Sequence, residues 1–378
     1  MTRLAQSFTL EQPFPASHRE GWGAESIPRM DKKRILASVV VFLILAILFY
    51  LQYRHWRSFD WGMFWSQTHR IKKLHVLHGI ALIYLAYWMR ALRWKIFLRP
   101  VRPQAGTIPL LSSTLLGFTG LALLGRAGEF IRPYLIARRT DLPFSSQLAV
   151  WGVERIFDIG AFTVLMMLAI FLPSALPSIP HPEYYLRFRE AGFLLAAAVA
   201  ATTVAAVLIK RNGDRAGIWV EQKFSHLPSH FGHKLGQRVR DFGRGLNTIH
   251  GPWSLLWLTV VSVGMWYAIA LAYKEVTHSY DAAALDIPVS QLLILMFASM
   301  VGSMLQLPAV GGGSQMATIA TLSSVFDAPP EVAASCGILL WLVTFAAVVP
   351  VGLILSHHER LSLRKLSEES HRAEEAEE

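Results

Sequence analysis

Residues 142–172 read LPFSSQLAVWGVERIFDIGAFTVLMMLAIFL. The run is longer than the roughly 20 apolar residues a helix needs to cross a bilayer. Three ionisable side chains, Glu154, Arg155 and Asp158, interrupt it. A charge at bilayer depth costs about 2.5–3.5 kcal/mol, so three within five residues demand partners. On a helix, Trp151, Glu154, Arg155 and Asp158 fall at i, i+3, i+4 and i+7, which is one face. That face must look toward other helices or a wet cavity. The segment therefore reads as a span inside a multi-helix membrane protein, with its polar face as the first place to look for function.

The rest of the 378-residue chain fits that class. It is 53% hydrophobic and 16% charged, against about 25% charged in soluble domains. The net charge of +10 reads as topology signals and phospholipid contacts rather than nucleic-acid binding, because the basic residues lie mainly between apolar runs. Cys336 is the single cysteine, which excludes an intrachain disulfide or a cysteine metal site. No cleavable signal peptide is expected, since the first apolar run lacks a cleavage site.

Outward from residues 142–172, six full spans are expected: 35–53, 74–92, 142–172, 191–209, 253–273 and 332–356. Residues 1–33 read as a disordered cytoplasmic lead, 54–73 as a Trp-rich interfacial segment and 173–189 as an outer loop with four prolines. Residues 210–251 read as a basic, amphipathic cytoplasmic loop, and 359–378 as an acidic disordered tail. Eight Lys and Arg in 210–251 against two in 173–189 orient both termini to the cytoplasm. Residues 107–137 pose a conflict, because a full crossing would strand Arg126, Arg132, Arg138 and Arg139 outside. A re-entrant helical hairpin from the cytoplasmic side resolves it. Residues 287–326, two apolar halves around LPAVGGGSQ, read as a second re-entrant hairpin from the opposite face. The fold class is an all-α polytopic membrane protein, with a domain over 34–358. Paired hairpins of this kind occur in transporters with a midplane site.

Four elements in this order, RALRWKIFL (90–98), GRAGEFIRPYLIARRT (125–140, preceded by Gly117), VERIFD (153–158) and LPAVGGGSQ (307–315), resemble the flippase-like membrane domain of bacterial lysylphosphatidylglycerol synthases. The resemblance implies movement of a phospholipid or other polar-headed lipid between leaflets of the bacterial cytoplasmic membrane. Many relatives follow the Gly-rich turn with Glu, whereas this chain has Ser314 and Gln315. The negative charge that Glu would offer a cationic headgroup is replaced here by neutral side chains. With no soluble domain in view, synthesis of a lysyl-lipid is not expected.

The candidate site combines Arg126, Glu129 and Arg132 on the hairpin's return limb with Glu154, Arg155 and Asp158. Arg forks suit phosphate and carboxylates suit ammonium, so the set could hold a headgroup; equally, it could be a neutral salt-bridge network pinning hairpin to span. Gly311, Gly312, Gly313, Ser314 and Gln315 could bring backbone close to a ligand, or simply make a tight turn. No G-K-[ST] follows, so this is not a P-loop. Arg90, Arg93, Lys95, Trp88 and Trp94 read as an interfacial anchor. His75 with His78, and His226, His230 and His233, have helical spacing but no carboxylate nearby in sequence, so no metal is expected. No catalytic residue and no cofactor are expected. The partner is a membrane lipid, with homo-oligomers left open. The alternatives are a membrane enzyme or enzyme partner in glycosyl transfer to polyprenyl-phosphate lipids, a small-solute secondary transporter, and a scaffold.

Overall fold

The computed structural model describes residues 59–171, 182–223, 236–237, 251–304, 312–359 and 362–376. Residues 60–378 form one unit and Met1–Phe59 another. The expected lead 1–33, the first span 35–53, most of the 210–251 loop and Gly311 lie outside the described residues. Within them all regular structure is helical, with no strand.

Helix α1 (Trp61–His69) starts where the Asp60 carboxylate accepts the Met63 N–H at 2.9 Å, which satisfies one orphan donor of the first turn. It buries Phe64 and exposes Trp61 and Trp65. Helix α2 (Lys73–Leu98) has 26 residues, about 39 Å at 1.5 Å per residue. Helices α3 (Thr107–Leu124) and α4 (Ile131–Thr140) are joined by a 3-10 turn, Gly125–Gly128. Helix α5 (Phe144–Phe171) carries the charged face. Then come α6 (Pro182–Lys223), α7 (Gly251–His278), α8 (Val289–Met304) and α9 (Gly312–Ser324). Helices α10 (Pro330–Trp341) and α11 (Val348–His358) are joined by a π turn, Leu342–Ala346, and α12 (Leu363–Ala376) follows.

Four of these segments are long and apolar enough to cross a membrane: Thr107–Leu124, Leu186–Ile209, Gly251–His278 and Pro330–His358. Helices α2 and α5 match them in length and carry buried charge instead. The Leu186–Ile209 segment is 6% buried, with Leu194, Val204 and Leu208 exposed. A bare apolar helix of this kind is costly in water and at home in lipid.

Both hairpins fold back on themselves where glycine permits. A Cβ on Gly117 would lie 2.5 Å from the Arg132 Cβ, and one on Gly128 would lie 2.2 Å from Gly120 backbone. Gly125 turns the chain at φ +64°, a region glycine enters without steric cost. In the second hairpin a Cβ on Gly302 would meet the Gly313 carbonyl at 2.4 Å, and the Ser299 and Ser314 hydroxyls share a hydrogen bond at 3.0 Å. The hairpins open at opposite ends of the Pro330–His358 span. Ser112 and Arg139, at the mouth of the first, bind Glu359 beyond α11, while Ser324 of the second is a short connection from Pro330.

The π turn has a local cause. Pro350 lacks the N–H that would bond back one turn, and the Ala347 N–H instead reaches Leu342 at 2.7 Å. The Tyr84 hydroxyl donates to the Ala347 carbonyl at 2.9 Å.

Three expectations are corrected. The outer loop 173–189 is helical from Pro182 onward, because proline suits a first turn and Glu183 follows it there. The same helix passes Lys210 and Arg211 to a bend at Asn212 (φ −135°, ψ 40°) and continues to Lys223. The acidic tail is not a disordered 359–378, since Leu363–Ala376 forms α12. Leu366 packs with Leu116, Ile131 and Leu135, and the Tyr134 hydroxyl donates to Glu369 at 3.0 Å. Burying one leucine and pairing one carboxylate offset the ordering of a helix that is otherwise polar.

Candidate functional site

Helices α2, α4, α5 and α7 bring four guanidiniums and two carboxylates together. Glu154 is completely buried. It accepts from Arg93 at 2.5 Å, from Arg90 at 3.3 Å and from the Trp94 indole at 3.0 Å. Arg132 clasps it with both terminal nitrogens, the two-pronged geometry that suits guanidinium and carboxylate. Asp158, one helical turn further, accepts from Arg93 at 2.7 Å, from Arg90 at 3.2 Å and from the Trp266 indole at 3.3 Å. Arg155 adds a looser ion pair to Asp158 at 3.6 Å.

Aromatic rings wall the cluster. Arg90 lies 5.1 Å from the Phe118 ring centre, and Arg132 lies 5.3 Å from that of Trp94. Arg93 also donates to the Ser262 hydroxyl at 3.0 Å. Charges this dry stay only because they are paired, and removing one partner strands the others.

The sequence-predicted set is therefore only partly assembled. Glu154, Arg155, Asp158 and Arg132 meet as expected. Glu129 is half-buried and takes no part in the cluster, which corrects the balanced six-charge pocket. Arg126, Glu129 and Arg132, three residues apart, would share one face only on a continuous helix. The chain makes a 3-10 turn through Arg126, and α4 begins at Ile131. The Arg126 side chain lies outside the described residues.

Arg90 and Arg93 join the cluster, although they read as interfacial anchors in the sequence. Their signal was present: Arg90, Arg93 and Trp94 fall at i, i+3 and i+4, the same one-face spacing as Trp151, Glu154 and Arg155. His75 and His78, expected to lack a carboxylate, both face Glu275 at 2.8 and 3.5 Å.

A cavity of about 230 Å³ adjoins the cluster. Arg90, Phe118 and Trp266 border it on the cluster side, and Ser299, Ser303 and Ser314 of the second hairpin border it on the other. Both hairpins thus contribute to one chamber. Of residues 312–315, Ser314 lines it; Gly312 holds a positive φ of 53°, Gly313 packs against Gly302, and Gln315 is half-buried elsewhere. A second, apolar groove of about 510 Å³ runs between α5, α6 and α7, lined by Val153, Phe157, Val164, Val199 and Leu255. Ser262, the hydroxyl that receives Arg93, is in its wall. An apolar channel therefore abuts a strongly polar cluster through one side chain.

No curated protein and no solved structure matches the chain. The family described as the lysylphosphatidylglycerol synthase TM region matches residues 35–352. The described residues of that stretch hold every member of the charge cluster and both hairpins, in an integral membrane domain whose family points to a membrane-lipid function. The chain belongs to the lysylphosphatidylglycerol synthase TM region family.

Proposed function

We propose that the protein moves a polar-headed lipid between the leaflets of a bacterial cytoplasmic membrane, with both termini on the cytoplasmic side and no bond made or broken. The observation that carries this reading is the chamber shared by the two hairpins, with the Arg90 wall on one side and the apolar α5–α6–α7 groove close behind Arg93. A lipid has to be handled in two parts during translocation. Its head must leave water without losing all polar contact, and its chains must stay in an oily path. The chamber suits the first part and the groove the second. The buried ion pairs supply a rigid frame between them, so the scaffold and headgroup readings of the charged face are compatible.

The test is reconstitution of the full chain in liposomes carrying fluorescent acyl-labelled phospholipids in both leaflets, with a membrane-impermeant quencher added outside. Protein should raise the quenchable fraction well above the half seen in protein-free vesicles. Quenching that stops at the outer-leaflet half for every labelled lipid would exclude translocation.

A further inference from the structure

The chamber's lining also argues for one class of head, and this inference rests on the translocation reading. Among the described residues that line it, Arg90 carries the only formal charge; the other polar groups are the Trp266 indole N–H, which is given to Asp158, and hydroxyls, among them those of Ser299, Ser303 and Ser314. The two nearby carboxylates are engaged by the cluster. Glu154 accepts from three guanidiniums and the Trp94 indole, while Asp158 accepts from two guanidiniums and the Trp266 indole and pairs with Arg155. With every group ionised, the three buried guanidiniums among the described residues, Arg90, Arg93 and Arg132, outnumber the two carboxylates, and the exposed Arg155 adds only a solvent-screened charge, so the field in the chamber is positive. The walls are dry and weaken that field less than water would.

We infer that the chamber selects a lipid with an anionic phosphodiester head, the phosphate on the edge of Arg90 beyond the Nη1 that serves Glu154 and Asp158 and the polyol on the serine hydroxyls, over a lipid with a cationic head. An ammonium there would find no uncommitted carboxylate and would sit against Arg90. Aromatic walls attract cations, but a like charge in dry surroundings outweighs that attraction. Ser299 and Ser314 already bond each other at 3.0 Å, and a hydroxyl can rotate to donate to an anion or accept from a polyol.

The experiment uses the full chain in liposomes doped with labelled phosphatidylglycerol, phosphatidylethanolamine or lysylphosphatidylglycerol. Phosphatidylglycerol should exchange about tenfold faster than the lysyl lipid, a factor within reach of one charge-assisted contact. Ser303 is exposed on α8 and lies outside the ion-pair cluster, so Ser303→Asp tests the chamber without disturbing that frame. It should slow phosphatidylglycerol and narrow or reverse the preference. Arg90→Gln should abolish the preference, and if that variant fails to fold, Ser303→Asp still decides. Lysyl lipid moving as fast as phosphatidylglycerol, or a preference unchanged in Ser303→Asp, would overturn the inference and leave translocation standing. Wild-type protein moving none of the three lipids would overturn both.

Discussion

Glu154 is the residue on which the interior depends. Replacing it by Ala leaves Arg90, Arg93 and Arg132 buried against one another with Asp158 alone, a loss of about 3–5 kcal/mol for a broken buried pair. Thermal unfolding in detergent should show a clear drop in Tm for Glu154→Ala and a smaller one for Glu154→Gln, which keeps the shape and some hydrogen bonds. Gly117 tests the same cluster from behind. A Cβ there would lie 2.5 Å from the Arg132 Cβ, so Gly117→Ala must push α4 away. The expected cost is about 1–3 kcal/mol of overpacking, with lipid exchange falling together with Tm; an unchanged Tm would mean the hairpin limbs are not in contact there. The charged face of α5 was legible in the sequence because helical spacing exposes it and lipid makes it expensive. Arg90 and Arg93 carry the same spacing, but it is masked because they sit near Lys95 and Arg99 at the end of a span. There the positive-inside pattern supplies a ready surface explanation, and some 60 residues separate them from Glu154 in the chain.

Among elements, the first hairpin was readable from Gly117, Gly120 and Gly125 and from the basic residues that follow. The break of phase at its turn was not, since a 3-10 turn and a helix differ little in composition. Helix α12 was missed for a different reason. Its charge run resembles a solvated tail, and the contact that orders it is tertiary: Leu366 against Leu116, Ile131 and Leu135, with Phe130 and His371 rings 5.5 Å apart. Because α12 lies along α4 and presents charged residues such as Glu368 and Arg372 outward, that side of the hairpin must be wet. A polar helix at a lipid surface would cost several kcal/mol. Cysteine labelling can examine this directly, as Cys336, the one native cysteine, is fully buried. Ser370 is 0% exposed, so Ser370→Cys should resist a charged maleimide. The same position should label readily once Leu366→Asp removes the leucine that anchors the helix. Equal labelling in both backgrounds would mean α12 does not dock.

At the scale of the whole molecule, lipid and water divide the surface. The Leu186–Ile209 segment turns its apolar length outward, while two hairpins opening at opposite ends converge on one chamber beside a buried ion-pair cluster. The all-helical membrane plan with two hairpins follows from hydropathy and loop charge, which are local properties of the chain, and five of the expected spans recur among the described residues as long apolar or charge-bearing helices. The chamber depends on which helices meet, and no short stretch of sequence states that. The most direct measurement fills the chamber and leaves the ion pairs intact. Ser303→Trp introduces a large ring on α8 into a space of about 230 Å³. Leaflet exchange of labelled phosphatidylglycerol should then fall to the protein-free rate while expression and Tm stay near wild type. Exchange persisting at the wild-type rate with the chamber filled would contradict the account.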